Sequence, residues 1–196
     1  MSEDPLFEAD DAATPLTPDE KKGLIPSYIT LRRELNEAEQ INVTTAEQAA
    51  LGRKRDVLDE RYLCSLHQSM FGEVWKWAGE FRKSERNIGV PYIRIPVELR
   101  ELLNNARYWV EHASFPADEL VARFHHKLVW IHCFPNGNGR HARLAADLLL
   151  LSLGQPRFTW GRRSLTDAGE TRRRYVAALR AADNHDFRPL LEFVHS

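Results

Sequence analysis

The sequence predicts an all-α, mainly helical fold with one small β element, and three observations carry that prediction. Apolar residues recur at helical spacing in successive stretches from Ile29 onward. Glycine and proline punctuate the ends of those stretches. Only residues 80–96, "EFRKSERNIGVPYIRIP", change character: short β-prone pieces flank Asn87-Ile88-Gly89, and Pro91 and Pro96 bar a helix, so a small hairpin or extended flap is expected.

Taken in order, residues 1–25 read as an acidic arm holding Pro5, Pro15 and Pro18, flexible or ordered on contact. Residues 26–55 read as a helical extension of one or two helices, with Ile29, Leu35, Ala38 and Ile41 as the apolar positions. The core follows over residues 56–196. "RDVLDERYLCSLHQSMFGEVWKWAG" repeats the helical spacing through Val57, Leu58, Tyr62, Leu63, Leu66 and Met70, and "VELRELLNNARYWVEH" returns to helix after the flap. "PADELVARFHHKLVWIHC" has Pro116 near its start and Asp118 and Glu119 in its first turn. Its apolar stripe is Leu120, Val121, Phe124, Leu128 and Ile131, and Pro135 ends it. "RHARLAADLLLLSLG" predicts a buried helix stopped by Gly154 and Pro156. The last helix is "TDAGETRRRYVAALRAAD", with Thr166 or Asp167 as cap. Trp75, Trp77 and Trp109 are read as core or flap support.

Composition narrows the function. Hydrophobic residues make up 43% and charged ones 28%, enough to bury a real core, and a net charge of −1 gives no global pull toward nucleic acid or an anionic membrane. Charge is unevenly spread: residues 1–20 carry seven acidic groups and no Lys or Arg, whereas residues 156–180 carry seven arginines against Asp167 and Glu170. Arg172-Arg173-Arg174 lacks the interleaved aromatics of a nucleic-acid surface and reads as a solvated helix face. Cys64 and Cys133 are too few for a disulfide framework and suit a reducing cytoplasm. The acidic start is no signal peptide, and no apolar run nears the roughly 20 residues needed to span a bilayer.

The chemistry concentrates in residues 131–143, "IHCFPNGNGRHAR". Gly137 and Gly139 can adopt positive φ and bare their N–H groups, and a helix starting near Asn138 adds unpaired amides and a positive dipole end. That combination is an anion nest. Arg140 and Arg143, one turn apart, can both reach a polyphosphate lying across it. His132, just before the turn, can take a proton from a hydroxyl. Base, cradle and paired cations together describe phosphoryl or nucleotidyl transfer. Blander readings remain open: a helix cap for the glycines, an Arg143–Asp147 surface pair, packing roles for His125 and His126. Zinc on His125, His126, His132 and Cys133 lacks ligand spacing.

These residues resemble the Fic/Doc family, whose signature HxFx(D/E)GNGRxxR reads here His132-Cys-Phe134-Pro-Asn136-Gly137-Asn138-Gly139-Arg140-His-Ala-Arg143. "LHQSMFGEVWKWAGEFR" resembles the family's segment before its flap. "GLIPSYITLRRELNEAEQIN" and "ERNIGVPYIRIPVELR" are similar to the mobile mystery protein B subgroup. The resemblance implies a helical bundle with a β-hairpin flap that transfers AMP from ATP to a Ser, Thr or Tyr hydroxyl of a target protein. It makes His132 the general base, Gly137, Asn138 and Gly139 the hole for the α- and β-phosphates, and Arg140 and Arg143 the holders of the outer phosphates. The flap at Asn87, Ile88 and Gly89 would clamp the target, with Ile88 the apolar contact. Asn136 stands where the family has the acidic residue that orients Mg²⁺, and a neutral oxygen is the weaker ligand. Two alternatives follow: transfer of another phosphate-containing group, or a silent nucleotide- or partner-binding module. The family's inhibitory pattern [S/T]xxxE[G/N] is approached by Thr30…Glu34 and by Thr166…Glu170, Glu34 being the candidate. Restraint by an antitoxin-like helix-turn-helix partner is the other possibility, as for the toxin of a toxin–antitoxin pair.

Overall fold

The computed structural model describes residues 16–162 and 168–196. Among these, eight α-helices account for nearly all regular structure: α1 Pro18–Lys21, α2 Arg32–Leu51, α3 Glu60–Phe71, α4 Ile95–Glu111, α5 Ala117–Ile131, α6 Asn138–Ser152, α7 Ala168–Asp183 and α8 Arg188–Val194. The architecture is a helical bundle. α5 and α6 form its central hairpin, α4 flanks α5, α2 lies along α3, and α7 pairs with α8.

The predicted stripe of α5 is buried in full: Leu120, Val121, Phe124, Leu128 and Ile131 are all in the core. Each such side chain contributes about 1.5–3 kcal/mol of burial. α6 buries Leu144, Ala145 and Leu148 as expected, while Leu151 reaches solvent. α3 starts later than the spacing predicts. Val57 and Leu58 are buried before the helix, which Asp59 caps by accepting the Tyr62 N–H at 2.8 Å.

Three expectations fail for identifiable reasons. The stripe predicted for α2 puts Ile41 inside, yet it is 69% exposed; the helix instead buries Leu35, Glu39, Asn42, Val43 and Ala46. Ile29, Leu35 and Ala38 do meet the core, but two of those five buried residues are polar, so a reading guided by apolar spacing misses part of the inner face. Pro96 does not bar a helix, because it sits in the first turn of α4, where its missing N–H costs nothing. No β-hairpin forms: among the described residues there is no strand, only a single bridge between Leu24 and Trp75. The flap's backbone bonds across to the α5–α6 turn rather than to itself, with the Arg82 N–H on the Cys133 carbonyl at 2.9 Å and the Val90 N–H on the Ile131 carbonyl at 3.4 Å. α8 was not foreseen, and the cap candidates Thr166 and Asp167 lie outside the described residues.

Candidate active site

α5 ends at His132, whose backbone turns left-handed (φ +57°, ψ +61°). A histidine held there stores about 1–3 kcal/mol of strain and persists because its surroundings fix it. Five residues later Gly137, at φ +77°, opens α6, which has no side-chain cap. Its first N–H groups and its dipole therefore face outward. Glycine is required at 137, since a Cβ would stand 2.5 Å from two carbons of the Phe71 ring. Phe71 is the floor of the nest, and it also carries the Arg140 guanidinium 4.8 Å above its centroid.

Other side chains fix the turn between base and nest. Asn138, expected among the phosphate contacts, spends its amide on the turn: Oδ1 accepts the Phe134 N–H at 2.9 Å and Nδ2 donates to the Phe134 carbonyl at 2.8 Å. Its main-chain N–H stays at the helix start. His67 is fully buried and stacked on Phe134 at 3.8 Å. Its Nδ1 accepts the Gly79 N–H, so Nε2 carries the proton and donates to the Asn136 carbonyl at 3.0 Å.

His132 is 8% exposed, and its pKa is lowered to about 4 by burial, with Arg82 and Arg86 adding to the shift. The imidazole is thus neutral at pH 7 and able to accept a proton. The flap covers it: Gly89, at φ +87°, lies so close that a Cβ would stand 2.6 Å from the His132 Cβ. Asn87 and Ile88 beside it are exposed. Arg82, 2% exposed, ties flap to base, donating from Nε to the His132 carbonyl at 2.7 Å, from Nη1 to Ser84 at 2.9 Å and from Nη2 to the Val90 carbonyl. Arg86 pairs with Glu20 in a buried bridge, and Ser84 Oγ donates to the same carboxylate at 3.1 Å, so the end of the acidic arm is pinned on the flap.

The two arginines of the motif are held differently. Arg140 donates to Glu39 of α2 at 2.6 Å, and Glu39 also takes the Trp75 indole N–H at 2.7 Å. Arg143 lies over the Tyr175 ring at 4.5 Å. The alternative Arg143–Asp147 pair does not form, since buried Asp147 accepts instead from Arg157 and Trp160, both at 2.9 Å. Glu34 does not meet either arginine. Its carboxylate folds back on the Thr30 and Leu31 N–H groups at 2.9 and 3.0 Å. A carboxylate does reach the motif, but it is Glu39.

The donors do not amount to a resident divalent-metal site. No group of three or more His, Cys, Asp or Glu among the described residues could hold one, and Asn136 Oδ1 already accepts the Gly137 N–H at 2.5 Å. His126 pairs with Asp183 at 2.8 Å and His125 with Tyr175 at 3.0 Å, which disposes of the zinc grouping. Burial raises both thiols, Cys64 to about 11, so they are inert. No described helix is long and apolar enough to cross a membrane. Five residues that shape the site carry little local signal: Glu39, His67, Phe71, Arg82 and Tyr175.

The chain resembles known proteins in sequence and in fold. The chain is 30% identical over 150 residues to a protein adenylyltransferase Fic of Aedes aegypti and 32% over 151 residues to that of Drosophila melanogaster. Each match covers 74% of the chain but only 29% of the relative. Among solved structures, a BepC protein of Bartonella tribocorum with bound AMPPNP superposes with a TM-score of 0.69 at 19% identity, covering 91% of this chain and 97% of that one. Fic-1 of C. elegans gives 0.65 at 22% identity, covering 89% and 51%. Residues 57–150 match the Fic/DOC family. With the motif, the helical hairpin that carries it and these likenesses agreeing, the chain contains a Fic/DOC family domain.

Proposed function

We propose that this chain is a protein adenylyltransferase, moving AMP from ATP to a side-chain hydroxyl of a target protein. The observation that carries the reading is the uncapped N-terminus of α6 behind left-handed Gly137, with a neutral imidazole on one side and two arginines on the other. His132 takes the hydroxyl proton as its oxygen attacks the α-phosphorus, and the bond from that phosphorus to the bridging oxygen breaks. Amides of Gly137, Asn138 and Gly139 hold the α- and β-phosphates, while Arg140 and Arg143 offset the charge of departing pyrophosphate. Mg²⁺ belongs to the substrate in this reading, carried on the phosphates, with Asn136 at most a weak neutral ligand. The curated relatives' name supports the activity.

The near-complete cover of His132 and the Glu39–Arg140 bridge fit a restrained form. Restraint from within, by Glu39, takes the place the resemblance offered to Glu34. A helix-turn-helix antitoxin-like partner and the mobile mystery protein B subgroup rest on the wider sequence likeness, and a cytoplasmic setting on the two free cysteines.

The test is incorporation of α-labelled ATP into host-lysate proteins by the native chain and by Glu39→Gln, each with and without His132→Ala. Labelling that vanishes with His132→Ala while the fold and nucleotide binding persist supports the reading. Undiminished labelling in that variant removes His132 from its role. No labelling in any form, with Asn136→Asp restoring it, would instead favour the silent binder.

A further inference from the structure

Arg140 and Arg143 are both meant to meet phosphate, yet one is neutralised by a carboxylate and the other rests on an aromatic face. That face is Tyr175 of α7, well beyond residues 57–150. Resting on the adenylyl-transfer reading, we propose that Tyr175, braced by His125, is a positioning residue that holds the Arg143 guanidinium ready for the outer phosphates of the nucleotide.

Tyr175 is 6% exposed and touches the site at three points. Its ring lies under Arg143 at 4.5 Å, and its hydroxyl meets His125 Nε2 at 3.0 Å. A Cβ built on Gly139 would find that hydroxyl at 3.9 Å and nothing nearer, so the phenol borders the nest itself. Behind it the packing is unbroken: His125 lies on Trp160 with centroids 4.6 Å apart, Trp160 donates to Asp147, and Tyr175 packs on Phe193 at 5.4 Å. Arg143 Nε is buried with no hydrogen-bond partner among the described residues. Tyr175 therefore orients the guanidinium through its ring and hydroxyl while leaving Nε unpaired.

A π face attracts a cation through its quadrupole but does not cancel its charge or occupy its in-plane N–H groups. Nε, unpaired here, stays available for an oxygen atom of a phosphate, where a carboxylate partner would take it. Burial lowers the His125 pKa to about 3 and raises that of Tyr175, so both remain neutral and add no rival charge beside Arg143.

The experiment is a double-mutant cycle read as Kd for a non-hydrolysable ATP analogue by calorimetry, with AMP as the control ligand. It is run in the native chain and in Glu39→Gln, so that the bridge to Arg140 cannot hide binding. Tyr175→Leu should weaken the analogue about fivefold to thirtyfold, and Tyr175→Phe, which keeps the ring, by no more than about threefold. In an Arg143→Ala background the same Tyr175→Leu change should have almost no further effect. AMP, which lacks the outer phosphates, should be bound nearly equally by all variants. Equal losses in both backgrounds, or a matching loss for AMP, would make Tyr175 ordinary packing and overturn the proposal. If Tyr175→Leu does not fold, Tyr175→Met replaces it under the same criteria. Failure of both parent chains to bind the analogue would defeat the adenylyl-transfer reading itself; binding without coupling defeats only this inference.

Discussion

Glu39 Oε2 stands 2.6 Å from Arg140 Nη2, while its other oxygen takes the Trp75 indole N–H at 2.7 Å. The carboxylate is 5% exposed and held on both oxygens, so it is a fixed anion on the guanidinium that the proposed reaction assigns to phosphate. A charge-assisted bond is worth about 1.5–3 kcal/mol, and this one, with Arg140 partly exposed, belongs at the lower end. Glu39→Gln keeps the volume and can still accept the indole N–H, but loses the charge. We expect it to tighten binding of an ATP analogue and raise target labelling, each by about tenfold or more. Unchanged affinity and labelling would mean that the bridge is structural only.

Gly137→Ala tests the nest. The alanine would have to hold φ +77° with its methyl 2.5 Å from the Phe71 ring. Left-handed backbone costs about 1–2 kcal/mol and overpacking about 1–3, so the melting temperature should fall by about 5–15 °C. Nucleotide binding should be lost beyond what stability explains. A variant that melts and binds like the native chain would show that no close approach exists there.

Arg82→Lys tests the clamp between flap and base. Lysine keeps the charge but cannot span the carbonyls of His132, Ser84 and Val90 at once. The segment 83–89 should become open to limited proteolysis, and labelling should drop by about tenfold or more because the left-handed His132 loses its brace. Native resistance to protease with native labelling would refute this role.

Four histidines, His67, His125, His132 and His141, are buried with their pKa values lowered chiefly by desolvation, the last three to about 3, 4 and 4. The unfolded chain binds protons on all of them near pH 6.5, whereas the folded one binds fewer, so stability must fall as pH drops from about 6.5 toward 4. Each proton that the folded state resists weakens folding further, and the four losses act in the same direction as the pH falls. Acid unfolding should therefore set in between pH 6 and 4, with labelling free of any His132 limb near pH 6.5. A melting temperature constant from pH 7 to 4.5 would contradict the buried, neutral state.

The motif of residues 132–143 was legible because its members are neighbours along the chain. His132, Gly137, Gly139, Arg140 and Arg143 span twelve residues, and their order predicts a helix end, a turn and an uncapped helix start, all of which occur. The stripe of α5 was legible for the same local reason. On α2, Leu35 and Ala38 face inward as spacing predicts, but Glu39 and Asn42 share that inner face in place of Ile41, each satisfied by a partner more than 25 residues away: Trp75 and Arg140 for the first, the Ser69 carbonyl for the second. Spacing alone assigns such residues to solvent. The flap was misread because its backbone partners belong to the α5–α6 turn.

Local order, then, was enough to place the bend after α5 and the uncapped start of α6, since backbone conformation and helix ends depend on adjacent residues. Which carboxylate faces Arg140, what carries Arg143 and what covers His132 were settled by packing. Glu39, Tyr175 and Gly89 come from separate segments, and only folding brings them to the motif, where burial turns ordinary side chains into partners.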